Sequence, residues 1–246
     1  MLAPKYGISA CVIYKNFSTV FTSILCFLYN MIDYRKHVEH MMDDYYEVRH
    51  CQRFNEYRYY SIHDKIQPKG GKKWTHYMLI REPMERFVSG FINKCINEKR
   101  KTMCYGCGDD MLCLMKAVYQ KLQLVSNGKK NPARDVEESH FMPQSWSCQL
   151  KENFNDYRIF KFSPSRTKEM LYEILDEFEG HGVPRNETDW IKDQVLSGKK
   201  TFHATYENPK RKELVDKINN SKDLKEWLIQ LYFYDYILFQ YPLPTF

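Results

Sequence analysis

Two segments of the chain place basic and hydroxyl-bearing residues between an apolar strand and a helix. In the first segment, Lys15, Ser18 and Thr19 follow a predicted strand at 9–14 and precede an apolar helical stretch. The N-terminus of a helix offers unpaired N–H groups and a partial positive charge, which together attract phosphate. This segment is therefore predicted to bind a phosphate group.

A second segment of this kind follows the predicted strand 75–80. It contains Arg81 and Ser89, and Pro83 fits the first turn of its helix because a missing N–H costs nothing there. Two such helix N-termini in one chain favour a ligand with two separated phosphate groups. Both segments follow the carboxyl ends of predicted strands, where ligands bind in parallel α/β sheets.

Strands alternate with helices along the chain, which predicts an α/β fold with a mostly parallel sheet flanked by helices. Beyond the two segments, the sequence predicts a strand at 157–162 and helices at 33–60, 111–124, 167–179, 187–196 and 224–239. Ser163 or Thr167 is expected to cap the helix that begins at 167. Because a convincing linker is absent, the 246 residues are predicted to form a single domain over 1–246.

The eight cysteines are many for a reducing compartment and indicate a lumenal or secreted protein. Cys11 and Cys26 flank the first loop and are expected to be buried free thiols. Disulfides are expected in the loop-rich stretch that contains Cys95, Cys104, Cys107, Cys113 and Cys148. A zinc site built from the last four is a less favoured alternative, because the spacing of its last two ligands is poor. Spacing alone does not determine the pairing.

The net charge indicates which kinds of binding partner are suitable, and the absence of certain motifs disfavours some fold classes. The net charge of +6 suits an anionic partner such as a nucleotide, an acidic glycan or nucleic acid, without choosing among them. No glycine-rich phosphate loop of the G-x-x-x-x-G-K-[ST] type and no G-x-G-x-x-G fingerprint is present, which disfavours ordinary nucleotide hydrolases and dinucleotide folds. The apolar run 20–31 is too short to span a bilayer, and no signal peptide is visible. If the protein is lumenal, its targeting segment is expected to be missing from this chain.

Four motifs carry a resemblance to a known family. The motifs are Lys15-x-x-Ser18-Thr19, Arg81-x-Pro83-x-x-Arg86-x-x-Ser89-x-Phe91-x-x-Lys94, His140-x-x-Pro143-Gln144-x-Trp146-x-Cys148 and Tyr234-x-x-x-Leu238-Phe239-x-Tyr241. With these motifs the chain resembles Golgi carbohydrate sulfotransferases, most of all the chondroitin and dermatan sulfotransferases and their nematode branch. The first two are the most specific, because they correspond to the family's two cofactor-binding segments.

This resemblance implies a P-loop-like sulfotransferase fold and the sulfuryl donor 3′-phosphoadenosine 5′-phosphosulfate (PAPS), with no metal. It implies that Lys15, Ser18 and Thr19 hold the 5′ phosphosulfate, and that Arg81 and Ser89 hold the 3′ phosphate. Lys15 would also be catalytic, because a positioned ammonium stabilises the negative charge that grows on the departing phosphate. The resemblance further implies a Golgi enzyme that acts on a chondroitin-like, acidic glycan rather than on nucleic acid.

The acceptor hydroxyl must lose its proton, and a neutral histidine within hydrogen-bond reach is a suitable base. His140 is the favoured candidate, with Glu138 as the group that would orient it. His63 is the rival, because some related glycan sulfotransferases place a base upstream of the second cofactor segment. His203 is a weaker candidate for contact with the substrate.

Several structural alternatives stay open at the level of sequence. Arg81 could form a salt bridge with Glu85, and Ser89 could be only a small residue in a packed helix. Arg86 is expected to be structural, and Lys94 is too far along the helix to reach the same phosphate. A phosphotransferase with a degenerate phosphate loop, a polyanion- or RNA-binding module and a donor-binding pseudoenzyme remain alternative functions.

Overall fold

The computed structural model describes residues 1–57, 60–98, 103–129, 136–202 and 204–246, and only the backbone of 136–138. The chain divides into two compact units. The first unit consists of 1–80 with 147–202, and the second of 81–146 with 203–246. A single domain over the whole chain stays a prediction.

Within the described residues, the sheet has four strands, arranged in their order along the chain. They are β1 (Leu2–Ala3), β2 (Ile8–Cys11), β3 (Thr75–Arg81) and β4 (Tyr157–Phe162). β1 pairs with β2 in antiparallel fashion, whereas β2 and β3 are parallel, with Ser9 opposite His76. The sheet is therefore mixed, and helices flank it. The predicted α/β class is confirmed, while the mostly parallel arrangement and the P-loop-like detail are not.

The helices lie mostly where the hydrophobic periodicity predicts them. In chain order they are α1 (Ser18–Tyr29), α2 (Met31–His37), α3 (Ile62–Lys65), α4 (Pro83–Phe91), α5 (Met111–Ser126), α6 (Val136–Phe141), α7 (Leu150–Asn153), α8 (Thr167–Gly180), α9 (Arg185–Leu196), α10 (Lys210–Asn219) and α11 (Lys222–Leu238). Among the described residues, no helix is both long enough and apolar enough to cross a membrane.

Each unit has its own hydrophobic core. In the first unit, Ile24 of α1 and Phe178 of α8 belong to one buried cluster with Tyr77 of β3. In the second unit, Phe87 of α4 packs with Phe141 of α6, their ring centroids 5.7 Å apart. These cores fix the two strand-to-helix turns that carry the predicted site residues.

The predicted helix at 33–60 is wrong over most of its length. Only α2 and one 3-10 turn at Met41–Asp43 are helical there, and the remaining described residues form turns and irregular structure. Buried polar side chains hold this segment in its non-helical course. Asn55 donates to the carbonyl groups of Leu2 and Leu25 at 3.1 Å, and the amide of His50 donates to Asp44 Oδ1 at 2.8 Å.

Two smaller predictions are also wrong. All eight cysteines form disulfides, namely Cys11–Cys148, Cys26–Cys51, Cys95–Cys104 and Cys107–Cys113. Cys11 and Cys26 are therefore not free thiols, and none of the four cysteines of the zinc alternative is a thiolate. Arg166 occupies the N-cap position of α8 and provides no side-chain cap, and the hydroxyl of Thr167 instead donates to the carbonyl of Pro164 at 3.1 Å.

Candidate functional site

In the first unit, the turn between β2 and α1 has an unusual backbone conformation. Lys15 and Phe17 both adopt left-handed conformations, with φ of 70° and 64°. Such conformations cost non-glycine residues roughly 1–3 kcal/mol each and cluster at ligand sites. The buried side chain of Asn16 holds the turn by donating to the carbonyl of Leu79 at 2.9 Å. The turn is thus anchored to the neighbouring strand at its centre.

The N-terminus of α1 is suited to a negatively charged group. Phe17 occupies the N-cap position and provides no side-chain hydrogen bond, and the first turn contains no acidic residue. Ser18 and Thr19 begin this helix and are half-buried, as is Lys15. The structure therefore brings Lys15, Ser18 and Thr19 together around one uncapped helix N-terminus. This is the arrangement that phosphate groups favour.

The N-terminus of α4, in the second unit, is capped by an acidic side chain. The carboxylate of Glu82 accepts hydrogen bonds from the amides of Met84 at 3.1 Å and Glu85 at 2.7 Å. Pro83 has no N–H to offer. Both amides are therefore already paired with Glu82, and phosphate binding at this helix N-terminus stays a prediction.

Arg81 ends β3 as a buried guanidinium. Its Nη2 lies 3.3 Å from Oε2 of Glu85, so the salt bridge considered as an alternative does exist. The same carboxylate pairs with Arg211 of α10. Burial lowers the pKa of Arg81 to about 9, and the positive charge of Arg211 is the second cause of this shift. Arg81 therefore stays charged at neutral pH. Two guanidinium groups thus share one carboxylate, with Glu82 as a second acidic neighbour.

Ser89 lies one turn beyond Glu85 on the same face of α4. Its hydroxyl is 2.8 Å from that of Thr205, and both residues are buried. The amide of Asn208 donates to the carbonyl of Thr205, and the amide of Arg211 donates to that of Asn208. One short turn therefore brings Thr205 and Arg211 to the same helix face. Sequence analysis predicted neither residue for the site.

Gln144 fixes the backbone of Arg81. Its Oε1 accepts from the amide of Arg81 and its Nε2 donates to the carbonyl of the same residue, both at 2.8 Å. The amide of Gln144 in turn donates to buried Asp235 of α11 at 2.7 Å. Gln144 appears in a sequence motif without an assigned role, and the structure gives it one in positioning Arg81.

His140 is buried in α6, and its Nδ1 lies 3.5 Å from Oγ of Ser139. The adjacent carbonyl of Phe141 accepts the hydroxyl of Tyr232 at 2.7 Å, which helps to fix the end of this helix. The side chain of Glu138, proposed to orient His140, lies outside the described residues, as does His203. The role of His140 stays a prediction.

His63 belongs to a cluster of rings at the other end of β2. Its Nε2 is 2.7 Å from Oγ of Ser9, and its ring centroid is 4.4 Å from that of His76. Burial lowers the pKa of His63, and that of His76 to about 4, so both are neutral at pH 7. His63 thus lies toward the amino end of β2, whereas the turn with Lys15 follows its carboxyl end. Its role too stays a prediction.

The remaining basic residues of the second segment are structural. Arg86 is fully buried and donates to the carbonyl of Met142 at 2.8 Å, as expected. Lys94 forms an ion pair with Glu98 in the π-helical turn that continues α4. Neither lies on the face of α4 that Glu85 and Ser89 share.

Comparison with known proteins gives concordant matches. A family model described as "Sulfotransferase family" matches residues 1–242. Carbohydrate sulfotransferase chst-1 of Caenorhabditis elegans is 29% identical, over 98% of this chain and 74% of that protein. An uncharacterized protein of the same organism, C18B2.2, is 28% identical over 99% of this chain and 69% of its own length. No solved structure matches the chain.

Proposed function

Because the chain belongs to the sulfotransferase family, we propose that it transfers a sulfuryl group from PAPS to a hydroxyl group of a glycan. The observation that carries this proposal is the uncapped N-terminus of α1 behind the left-handed turn at Lys15. The similarity to a protein named carbohydrate sulfotransferase supports a glycan as the acceptor.

Lys15, Ser18 and Thr19 are proposed to hold the 5′ phosphosulfate of the donor. The backbone amides at the start of α1 would add hydrogen bonds to the same anionic group. When bound, PAPS supplies an activated sulfuryl group attached to a phosphate. Lys15 would stabilise the negative charge that develops on this phosphate as the sulfur–oxygen bond breaks.

Arg81 and Ser89 are proposed to hold the 3′ phosphate, and we add Arg211 to them. Arg211 supports this role because its guanidinium already shares an anionic partner with Arg81. A guanidinium matches phosphate in a bidentate geometry. A bound phosphate would replace Glu85 as a partner of these guanidinium groups.

His140 is proposed as the base that accepts the proton of the acceptor hydroxyl while the hydroxyl oxygen attacks sulfur. His63 is the second candidate, and its engagement with Ser9 makes it the less favoured one. The acceptor is proposed to be a chondroitin-like, acidic glycan, since the chain carries a net charge of +6. Four disulfides support a location in the oxidising secretory pathway, which we propose to be the Golgi lumen.

The test combines label transfer with donor binding. Purified protein is incubated with radiolabelled PAPS and a panel of glycans. The panel includes chondroitin, desulfated glycans and uncharged glycans. Transfer to at least one glycan is expected, and Lys15→Ala should reduce it at least a hundredfold, while Lys36→Ala on the exposed face of α2 leaves it unchanged.

Adenosine 3′,5′-bisphosphate serves as the binding probe, with a rise in melting temperature as the readout. Binding without transfer to any glycan would indicate a donor-binding pseudoenzyme. The proposal would be overturned if no label were transferred to any glycan and the nucleotide caused no rise in melting temperature. Salt-sensitive binding of nucleic acid in that case would favour a polyanion-binding module.

A further inference from the structure

Three potential metal ligands lie together in the first unit, apart from the turn at Lys15. Asp33 and His37 belong to α2, and His50 belongs to the segment before Cys51. One ligand atom of each residue lies within 4.8 Å of the other two. His50 Nε2 is 2.7 Å from Oδ2 of Asp33, and His37 Nδ1 is 3.5 Å from Oδ1 of the same carboxylate. We propose that these three residues bind a divalent transition-metal ion such as zinc.

The ligand types and their spacing support this proposal. Two imidazoles and one carboxylate are a common zinc set, and three protein ligands leave a fourth position for water. Residues four apart on a helix share one face, which brings Asp33 and His37 together before any metal binds. Every cysteine is held in a disulfide, so no thiolate competes for the ion.

The ligands are also held in place by their surroundings. The amide of His50 donates to Asp44 Oδ1 at 2.8 Å, and the next residue, Cys51, is joined to α1 by a disulfide. The amide of Asp33 donates to the side chain of Asn30 at 3.2 Å. The rings of His37 and His50 stack with centroids 4.9 Å apart. His37 Nδ1 lies 2.9 Å from the carbonyl oxygen of Asp33. The His37 ring must therefore leave this contact to bind an ion together with Asp33 and His50.

The site is accessible from solvent at the side of α2. The side chains of His37 and Asp33 are 56% and 42% exposed, whereas that of His50 is 18% exposed. An ion can thus enter from solvent and bind the more buried imidazole at the back of the site. Binding would link α2 to the turn before Cys51, so we expect the metal to stabilise the first unit without taking part in sulfuryl transfer.

The whole chain, stripped of metal with a chelator, is titrated with Zn²⁺ by calorimetry and with Co²⁺ by visible absorption. We expect one ion per chain, tetrahedral cobalt bands and a melting temperature several degrees higher with metal. His37→Gln and His50→Gln should each weaken binding at least tenfold, whereas Lys36→Gln, exposed on the same helix, should not.

His37 is exposed, so His37→Gln is expected to fold, and its metal-free melting curve verifies this. The proposal is overturned if fewer than one ion binds per chain, or if both histidine variants bind metal as tightly as the unaltered protein. The second result would place the ion elsewhere. Since the readouts are metal binding and melting, they do not depend on whether the protein transfers sulfate.

Discussion

Glu85 is the residue whose charge most directly opposes the proposed binding of a phosphate by Arg81. Its carboxylate contacts the guanidinium groups of both Arg81 and Arg211. Glu85→Gln removes this competing anion while keeping the shape of the side chain. We expect adenosine 3′,5′-bisphosphate to bind about three- to tenfold more tightly, which corresponds to roughly 1 kcal/mol of relieved competition. Calorimetric titration measures the change.

The matched control is Glu226→Gln, since Glu226 pairs with Lys222 in an exposed ion pair on α11. This variant should bind the nucleotide as the unaltered protein does. Weaker binding by Glu85→Gln would show instead that the carboxylate orients the two guanidinium groups. In that case Arg81 and Arg211 would need Glu85 in order to bind phosphate.

Sequence suggested Arg81 and Ser89 as phosphate ligands because both belong to a short segment that resembles the family's second cofactor-binding segment. It could not identify Arg211 or Thr205, which reach α4 only through the tertiary packing of a turn more than a hundred residues away. Gln144 is a similar case, because its hydrogen bonds to Arg81 join positions 63 residues apart. A sequence pattern within one segment predicts the local geometry of that segment. Contacts between residues of distant segments can be known only from the folded structure.

At the scale of elements, periodic hydrophobicity predicted α5, α8, α9 and β4, because each packs one apolar stripe or face against a core. It failed at 33–60, where the disulfide of Cys51 and the buried amide of Asn55 determine the course of the chain. It also missed α10, whose buried residues are only Leu214 and Ile218. A helix that packs through so few side chains gives little periodic signal.

The contact of α4 with α6 depends on Gly90. A Cβ at this position would lie 2.9 Å from Cε1 of Phe141, a residue that is completely buried. Gly90→Ala should therefore destabilise the protein by roughly 1–3 kcal/mol, because the ring has little room to move away. Denaturant unfolding measures the loss.

Gly180→Ala at the end of α8 is the control. Apart from its chain neighbours and the backbone of its own helix, none of the described atoms lies within 4 Å of the position that the alanine methyl group would take there. Alanine has the higher helix propensity, so this change should be neutral or stabilise by up to about 1 kcal/mol. Equal destabilisation by both substitutions would mean that the close approach to Phe141 is unimportant. A loss of stability confined to Gly90→Ala would show that α4 and α6 require this close spacing. The same spacing positions Phe141, the residue next to His140.

At the scale of the whole molecule, the cysteine count predicted disulfides but not their pairing. Cys11 and Cys148 are 137 residues apart, and the link between them joins the end of β2 to the segment before α7. Nothing in the spacing of the two residues indicates this contact, because it depends on how the strands and helices of the first unit pack. The presence of disulfides was thus predictable from composition, whereas their pairing required the fold.

The neutral histidines beside β2 make stability depend on pH. Burial lowers the pKa of His76 from 6.5 to about 4 in the folded protein. Below pH 6.5 the unfolded chain binds a proton that the folded chain does not, so acidification favours unfolding until pH 4. From these two values, His76 should cost roughly 2 kcal/mol of stability between pH 7 and pH 5. Urea unfolding at a series of pH values gives this slope.

His76→Gln separates this effect from that of the other titrating groups, because glutamine is neutral throughout the range. The difference in unfolding free energy between the two proteins should shift in favour of the variant by roughly 2 kcal/mol as the pH falls from 7 to 5. A constant difference would contradict the buried, neutral state of His76. His63 also has a lowered pKa and lies against the same ring, so the double variant His63→Gln/His76→Gln should flatten the profile further.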